Sequence, residues 1–217
     1  MPAQVLERTV EQPAMSDPEA DDDVGDQSSA PAQPDPSDEA LARRAALGDR
    51  DAFAVVVDRH GPALHRYAYR LLDDPGDVDD CVQDVFLSAW KGLPSFRGDS
   101  SLRTWLFTIT RHAVYARSRR WPASGSRPHV DLDDVVDRVR DLRADPERES
   151  VEVALREALD LALQLLPPRQ RAAWLLREVE ELRYDEIARV LGTTTTSVRG
   201  LLERGRATLA QALEEWR

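Results

Sequence analysis

Phe107, Arg111 and Tyr115 recur at four-residue spacing, beside His112 and ahead of Arg117, Arg119 and Arg120. On a helix turning ~100° per residue that spacing gathers the three on one side. Thr104, Val114 and Ser118 join them there, while Leu102, Trp105, Leu106, Ile109, Ala113 and Ala116 fall opposite as the expected core. Aromatic rings stack on unpaired bases and guanidinium groups hold phosphates, so the first side suits partly single-stranded nucleic acid. A plain amphipathic helix, its terminal arginines favoured by the helix dipole, would read the same way.

A second constellation, YDEIARVLGTTTTSVRGLLERGR, runs from Tyr184 to Arg206. Ala188 is small where two helices would cross, Gly192 suits a left-handed turn, and Ile187, Leu191 and Val198 supply a small core. In a helix-turn-helix the front of the second helix enters the major groove. That nominates Thr194, Thr195, Thr196, Ser197 and Arg199 for bases and phosphates, with Arg204 and Arg206 reaching the backbone. A three-helix protein-binding module whose threonines merely cap a helix is the alternative. No catalytic chemistry accompanies either pattern. His60, His65, His112 and His129 lack metal-ligand spacing, and there is no nucleophile set or glycine-rich phosphate loop. The expectation is no enzyme, no metal and no cofactor.

The elements that must hold these residues are all helical. Residues 1–37 are rich in Pro, Asp, Ser, Ala and Gln, carry a charge of -8, and predict a disordered acidic extension. Ser37 and Asp49 are N-cap candidates for two helices, Gly61-Pro62 predicts a break, and Asp73-Asp74-Pro75-Gly76 predicts a turn. A helix from Asp77 follows, with Val78, Val82, Val85, Phe86, Ala89 and Leu93 available for burial and Asp79, Asp80, Gln83 and Asp84 on its polar side. Residues 122–150, with Pro122, Gly125 and Pro128, predict a flexible acidic linker with at most a nascent helix. A helix carrying Val153, Leu155, Leu159, Leu163 and Leu166 then ends at Pro167-Pro168. The domains expected are thus 38–121 and 151–217, with the second holding the helix-turn-helix.

The formal charge of -11 argues against nucleic acid until it is divided: 38–121 carries +1 and 151–217 carries -1, so the excess acid sits in the two segments expected to be unfolded. A single cysteine, Cys81, excludes an internal disulfide. With no long apolar run, a soluble cytoplasmic protein without membrane insertion is expected.

From Asp38 onward the chain resembles an extracytoplasmic-function (ECF) sigma factor. The family's acid-rich D-x-E-D-x-x-Q-E-x-F helix is matched by Asp77, Asp79, Asp80, Gln83, Asp84 and Phe86. Its F-R-G, Trp-Leu helix and Arg pair are matched by Phe96, Arg97, Gly98, Trp105, Leu106, Ile109, Arg119 and Arg120. Its L-P-x-R-Q-R and E-I-A-x-x-L-G are matched by Leu166, Pro167, Arg169, Gln170, Arg171, Glu186, Ile187, Ala188, Leu191 and Gly192. The resemblance implies an all-α chain that docks Asp79, Asp80, Gln83, Asp84 and Phe86 on the clamp helices of core RNA polymerase, with a further contact at its flap. It implies that Arg97, Ser100, Ser101, Arg103, Phe107, Arg111, His112, Tyr115, Arg119 and Arg120 capture a flipped base of the minus-ten promoter strand. The final helix would read minus-thirty-five duplex, and an anti-sigma partner could clamp both domains. His112 and Ala116 stand where Asn and Asp are usual, and Thr196, Gly200, Leu201 and Gly205 replace the common Gly, Ser, Arg and Ala, which implies weak or altered minus-thirty-five binding. A stand-alone helix-turn-helix regulator and a scaffold protein are the other two readings.

Overall fold

A computed structural model describes residues 35–118, 132–144 and 151–214. The expected acidic extension over 1–37, except its last three residues, and much of the expected linker lie outside the described residues.

Local signals set the first elements where they were expected. The Ser37 hydroxyl accepts the Ala40 N–H to start α1 (Asp38–Ala46), and the Asp49 carboxylate accepts the Ala52 N–H at 3.0 Å to start α2 (Arg50–Tyr69). The break expected at Gly61-Pro62 is overturned: α2 runs through Pro62. An interior proline costs ~3 kcal/mol, but Val56, His60, Leu64 and Tyr67 form one continuous buried side of α2. Each large apolar side chain so buried returns ~1.5–3 kcal/mol, and packing outweighs the local signal. The turn at 73–76 forms, closed by Asp74 accepting the Gly76 N–H at 2.8 Å. Two helices follow, α3 (Asp77–Gly92) and α4 (Leu102–Arg117), the latter capped by Ser101, which accepts the Thr104 N–H at 3.1 Å.

A helix, α5 (Leu132–Ala144), occupies part of the expected linker and lays Val135 and Val139 against Ala158 of α6 (Val151–Gln164). The buried side of α6 is Ala154, Ala158, Ala162 and Leu163, whereas Val153 and Leu155 are exposed. The expected face holds at Leu163 and Leu166, which are buried, and in part at Leu159, and is corrected at Val153 and Leu155: small side chains at four-residue spacing let neighbouring helices approach closely in the first turns, and those two larger residues turn outward.

Pro168 opens α7 (Pro168–Trp174), a position where its missing N–H costs nothing. The helix continues as one wider π-type turn over Leu175–Val179. Then α8 (Tyr184–Leu191) and α9 (Thr195–Ala212) form the expected helix-turn-helix about Gly192, at φ +60°. Among the described residues there is no strand, and no helix is long and apolar enough to cross a membrane. The chain from Pro36 onward is one compact unit. Within it, α4 is covered by α3 on one side and α8 on another, and the core residues of α1–α4 and α6–α9 are continuous.

Candidate nucleic-acid interface

The two sides of α4 are not divided as its spacing predicts. Thr104, Phe107 and Val114, expected on the nucleic-acid side, are buried together with Leu102 and Leu106, while Trp105, Ile109 and Ala113 are only half-buried. Phe107 is fully buried, edge-to-face with Tyr67 at 5.4 Å. Its expected role as a base-stacking ring is corrected for this arrangement: α4 is enclosed by α2, α3 and α8, so no side of it faces water along its whole length. Trp105 instead packs on Phe96 at 5.0 Å.

The rest of the expected minus-ten set divides between the loop before α4, Arg103 in its first turn, and its C-terminal half. Arg97 and Gly98 are exposed, Gly98 at φ +75°. Ser100 is half-buried, and Ser101 serves as the cap. Arg111, His112, Tyr115 and Ala116 line a cavity of about 500 Å³ whose far wall is Arg169, Leu191 and Gly192. Burial works against the charge on Arg111 and, with Arg111 beside it, pushes His112 below the usual imidazole range. Among the described residues the Tyr67 hydroxyl and Arg111 Nε are buried and find no hydrogen-bonding partner, and burial raises the Tyr67 phenol. Arg119 and Arg120 lie outside the described residues.

Sequence reasoning missed the groups that α6–α9 present to this surface. Arg103 Nη2 donates to Glu180 Oε2 at 2.9 Å, and Arg66 Nη2 to Glu180 Oε1 at 3.3 Å. The Thr104 hydroxyl donates to Glu186 Oε1 at 3.1 Å, while the other Glu186 oxygen accepts the Arg183 N–H that starts α8. Arg189 Nη1 donates to the Asp99 carbonyl at 3.1 Å. Nearby, Arg70 pairs with Asp160 at 2.9 Å, and buried Arg171 donates to the carbonyls of Arg70 and Gln164 at the ends of α2 and α6. The bonds that join α1–α4 to α6–α9 are not marked by spacing, because each of them spans 77 or more residues.

The front of α9 is open. Thr194 caps it, accepting the Ser197 N–H at 3.1 Å, and Thr195, Thr196, Ser197 and Arg199 are exposed. Arg204 is exposed and its guanidinium lies back over Gly200, 3.3 Å from where a Cβ would sit. Arg206 is held by Glu178 at 2.6 Å, which raises its pKa. Leu201 is half-buried against the core rather than facing outward. Gly205 is buried beside Leu166 and Gln170, yet α9 stays continuous through both interior glycines.

On α3, Asp79, Asp80 and Gln83 are exposed, with Asp79 3.2 Å from His65. Asp84 is ion-paired with Arg117 of α4. Phe86, expected to meet polymerase, is half-buried and 6.2 Å edge-to-face from Phe53, a packing position between α2 and α3. Leu87, exposed on the same stripe as Asp80, Gln83 and Asp84, is the apolar group that the acidic pattern hid. Cys81 is fully buried and its thiol is pushed up by that burial.

The sequence matches the Sigma-70 region 2 family over residues 56–121 and the Sigma-70 region 4 family over residues 156–209. It is 36% identical over 177 residues to the ECF RNA polymerase sigma factor SigM of Mycobacterium tuberculosis, covering 82% of this chain and 85% of SigM. It is 36% identical over 178 residues to SigG of the same species, covering 74% of this chain and 48% of SigG, so it spans about half the length of that relative. The ECF RNA polymerase sigma-E factor of Escherichia coli K12 is 32% identical, with 78% of this chain and 91% of that one aligned. Among solved structures, CnrH in complex with the cytosolic domain of CnrY superposes with a TM-score of 0.61 at 30% identity, over 82% of this chain and 97% of CnrH.

Proposed function

Since this chain belongs to the ECF sigma factors, we propose that it binds core RNA polymerase, selects promoters through minus-thirty-five and minus-ten elements, and opens the duplex for initiation, with no catalytic site of its own. The observation carrying this reading is the juxtaposition, on adjoining helices, of an exposed carboxylate stripe on α3 and a cation-bearing loop and helix at α4. Asp79, Asp80 and Gln83, with Leu87 as an apolar anchor, suit a basic helical surface on polymerase. Arg97, Arg103, Arg111, His112 and Tyr115 suit a single strand, whose lost stacking of a few kcal/mol per base is offset by ~1–3 kcal/mol per aromatic contact. With Phe107 buried, Tyr115 is the ring left for stacking. Thr195, Thr196, Ser197, Arg199 and Arg204 form the duplex-reading front of α9. Glu178 already holds Arg206, so its phosphate contact requires exchange of partners.

CnrH is found in complex with the cytosolic domain of CnrY, and by extension we propose a protein partner here, an anti-sigma factor that holds this chain in check. The domain limits that follow are 38–121 for polymerase and minus-ten binding and 151–217 for the minus-thirty-five element. The test mixes purified core polymerase, the full chain and a library of genomic fragments, and sequences the transcripts. Selective initiation at a common pair of motifs is expected. Duplex binding without polymerase and no selective transcription would instead favour a stand-alone regulator.

A further inference from the structure

We propose that Glu180 is a latch: it occupies cations that the promoter strand would take, so that docking of α8 on α4 and capture of single-stranded DNA exclude one another. The inference rests on the assignment of α4 to the minus-ten strand. A glutamate side chain with 2% exposure is rare unless paired. Here each oxygen holds one guanidinium, Arg66 and Arg103, from residues 114 and 77 positions upstream. Two oxygens bridging two guanidinium groups reproduce the pattern a phosphate offers.

The backbone aims the carboxylate. The π-type turn Leu175–Val179 closes with the Glu180 N–H on the Leu175 carbonyl at 3.0 Å, and Glu181 takes a left-handed conformation at φ +56°. A non-glycine residue there is uncommon and held only where the surroundings over-determine it. On the receiving side, Arg103 also lies 5.6 Å over the Phe107 ring, which fixes its guanidinium toward Glu180. The bonds from Thr104 to Glu186 and from Arg189 to the Asp99 carbonyl then seat α8 over the loop that would admit the strand.

The masking is selective. Asp79, Asp80 and Gln83 on α3, and Thr195 and Arg199 on α9, remain exposed. The closed chain can therefore meet polymerase and duplex DNA, while its single-strand surface waits for α8 to leave. Reciprocity requires that a strand bound at Arg103 open the chain to the same degree that closure weakens the strand.

The test uses the full chain with fluorophores at Leu47→Cys and Glu203→Cys; both sites are exposed, and Cys81 is buried and unlabelled. The wild type is expected to show a short inter-dye distance that lengthens when short random-sequence single-stranded DNA is added. E180Q should lengthen it without DNA and bind that DNA on the order of tenfold more tightly, the guanidinium groups being partly exposed and the pair correspondingly screened. R66Q should lengthen the distance without DNA by less; Arg66 is itself one of the cations the strand would take, so the distance alone is its readout, and it decides the matter if E180Q loses its helical circular dichroism. A folded E180Q with wild-type distance and DNA affinity, or, where E180Q does not fold, a folded R66Q with wild-type distance, overturns the latch. The distance measurement needs no promoter, so a failure to direct transcription counts against the sigma-factor reading alone.

Discussion

Phe107 is the residue on which pattern and packing disagree most sharply, and substitution separates them. Its ring is fully buried against Tyr67 of α2. That contact lies within α1–α4, so it persists whether or not α8 is docked. Phe107→Ala should cost ~3–5 kcal/mol through lost burial and a cavity. At roughly 2–4 °C per kcal/mol for a chain of this size, the melting temperature should fall by about 6–20 °C. Phe107→Leu keeps the site apolar and nearly filled, a change of under about 1.5 kcal/mol, and loses the edge-to-face term of ~0.5–1.5 kcal/mol. Its melting temperature should drop by a few degrees, and single-strand binding by the folded protein should not fall, since the ring's only tie to the strand site is its contact with Arg103. The assay is thermal melting by circular dichroism, paired with fluorescence anisotropy of a labelled single strand. Unchanged melting in Phe107→Leu together with lost strand binding would refute the core assignment and return the ring to the DNA.

Gly205→Ala should stabilise the protein by up to ~1 kcal/mol, because helix propensity improves and the new Cβ would sit 3.7 Å from Leu166, an ordinary contact; a lower melting temperature would mean that the crossing of α7 and α9 is tighter than it looks. Burial holds His60 below its usual 6.5 despite Asp38 beside it, with Arg59 and Arg103 acting in the same direction as burial. The unfolded chain therefore takes up this proton first, so the His60 contribution is fully present above pH 6.5 and is lost as pH falls through the lower folded-state value. Urea unfolding across pH 7.5 to 5 should show that loss in the wild type and a flatter profile in His60→Gln. Arg171→Met should destabilise by ~1–3 kcal/mol, since the carbonyls of Arg70 and Gln164 lose a buried donor; an unchanged denaturation midpoint would show that those helix ends need no cap.

What was legible in the sequence was whatever neighbours along the chain decide. Ser37, Asp49 and Thr194 cap helices because each needs only a backbone N–H three residues on. Gly192 marks the turn because one left-handed residue suffices there. Gly61-Pro62 misled for the opposite reason: the cost is local, but the buried side of α2 that overrides it is assembled from α1, α3 and α4. On α6 the alternation of alanine and leucine fits two rotations of the helix equally well. Only the arrival of Val135 and Val139 at Ala158 selects the alanine side.

Charge was misjudged by the same route. A sequence shows Arg103, Arg117 and Arg206 as free cations ready for phosphate, and the fold gives each a carboxylate: Glu180, Asp84 and Glu178. Two of these pairs close within one half, while Arg103–Glu180, with Arg66–Glu180 and Arg70–Asp160, joins the segments of charge +1 and -1 across their contact. On the proposed minus-ten role of Arg103, strand binding would exchange one anion for another instead of filling an empty site, and the net gain would be the difference between phosphate and Glu180. A protein built this way would hold a single strand weakly while α8 is docked, and would hold it well once α8 is kept away from α4.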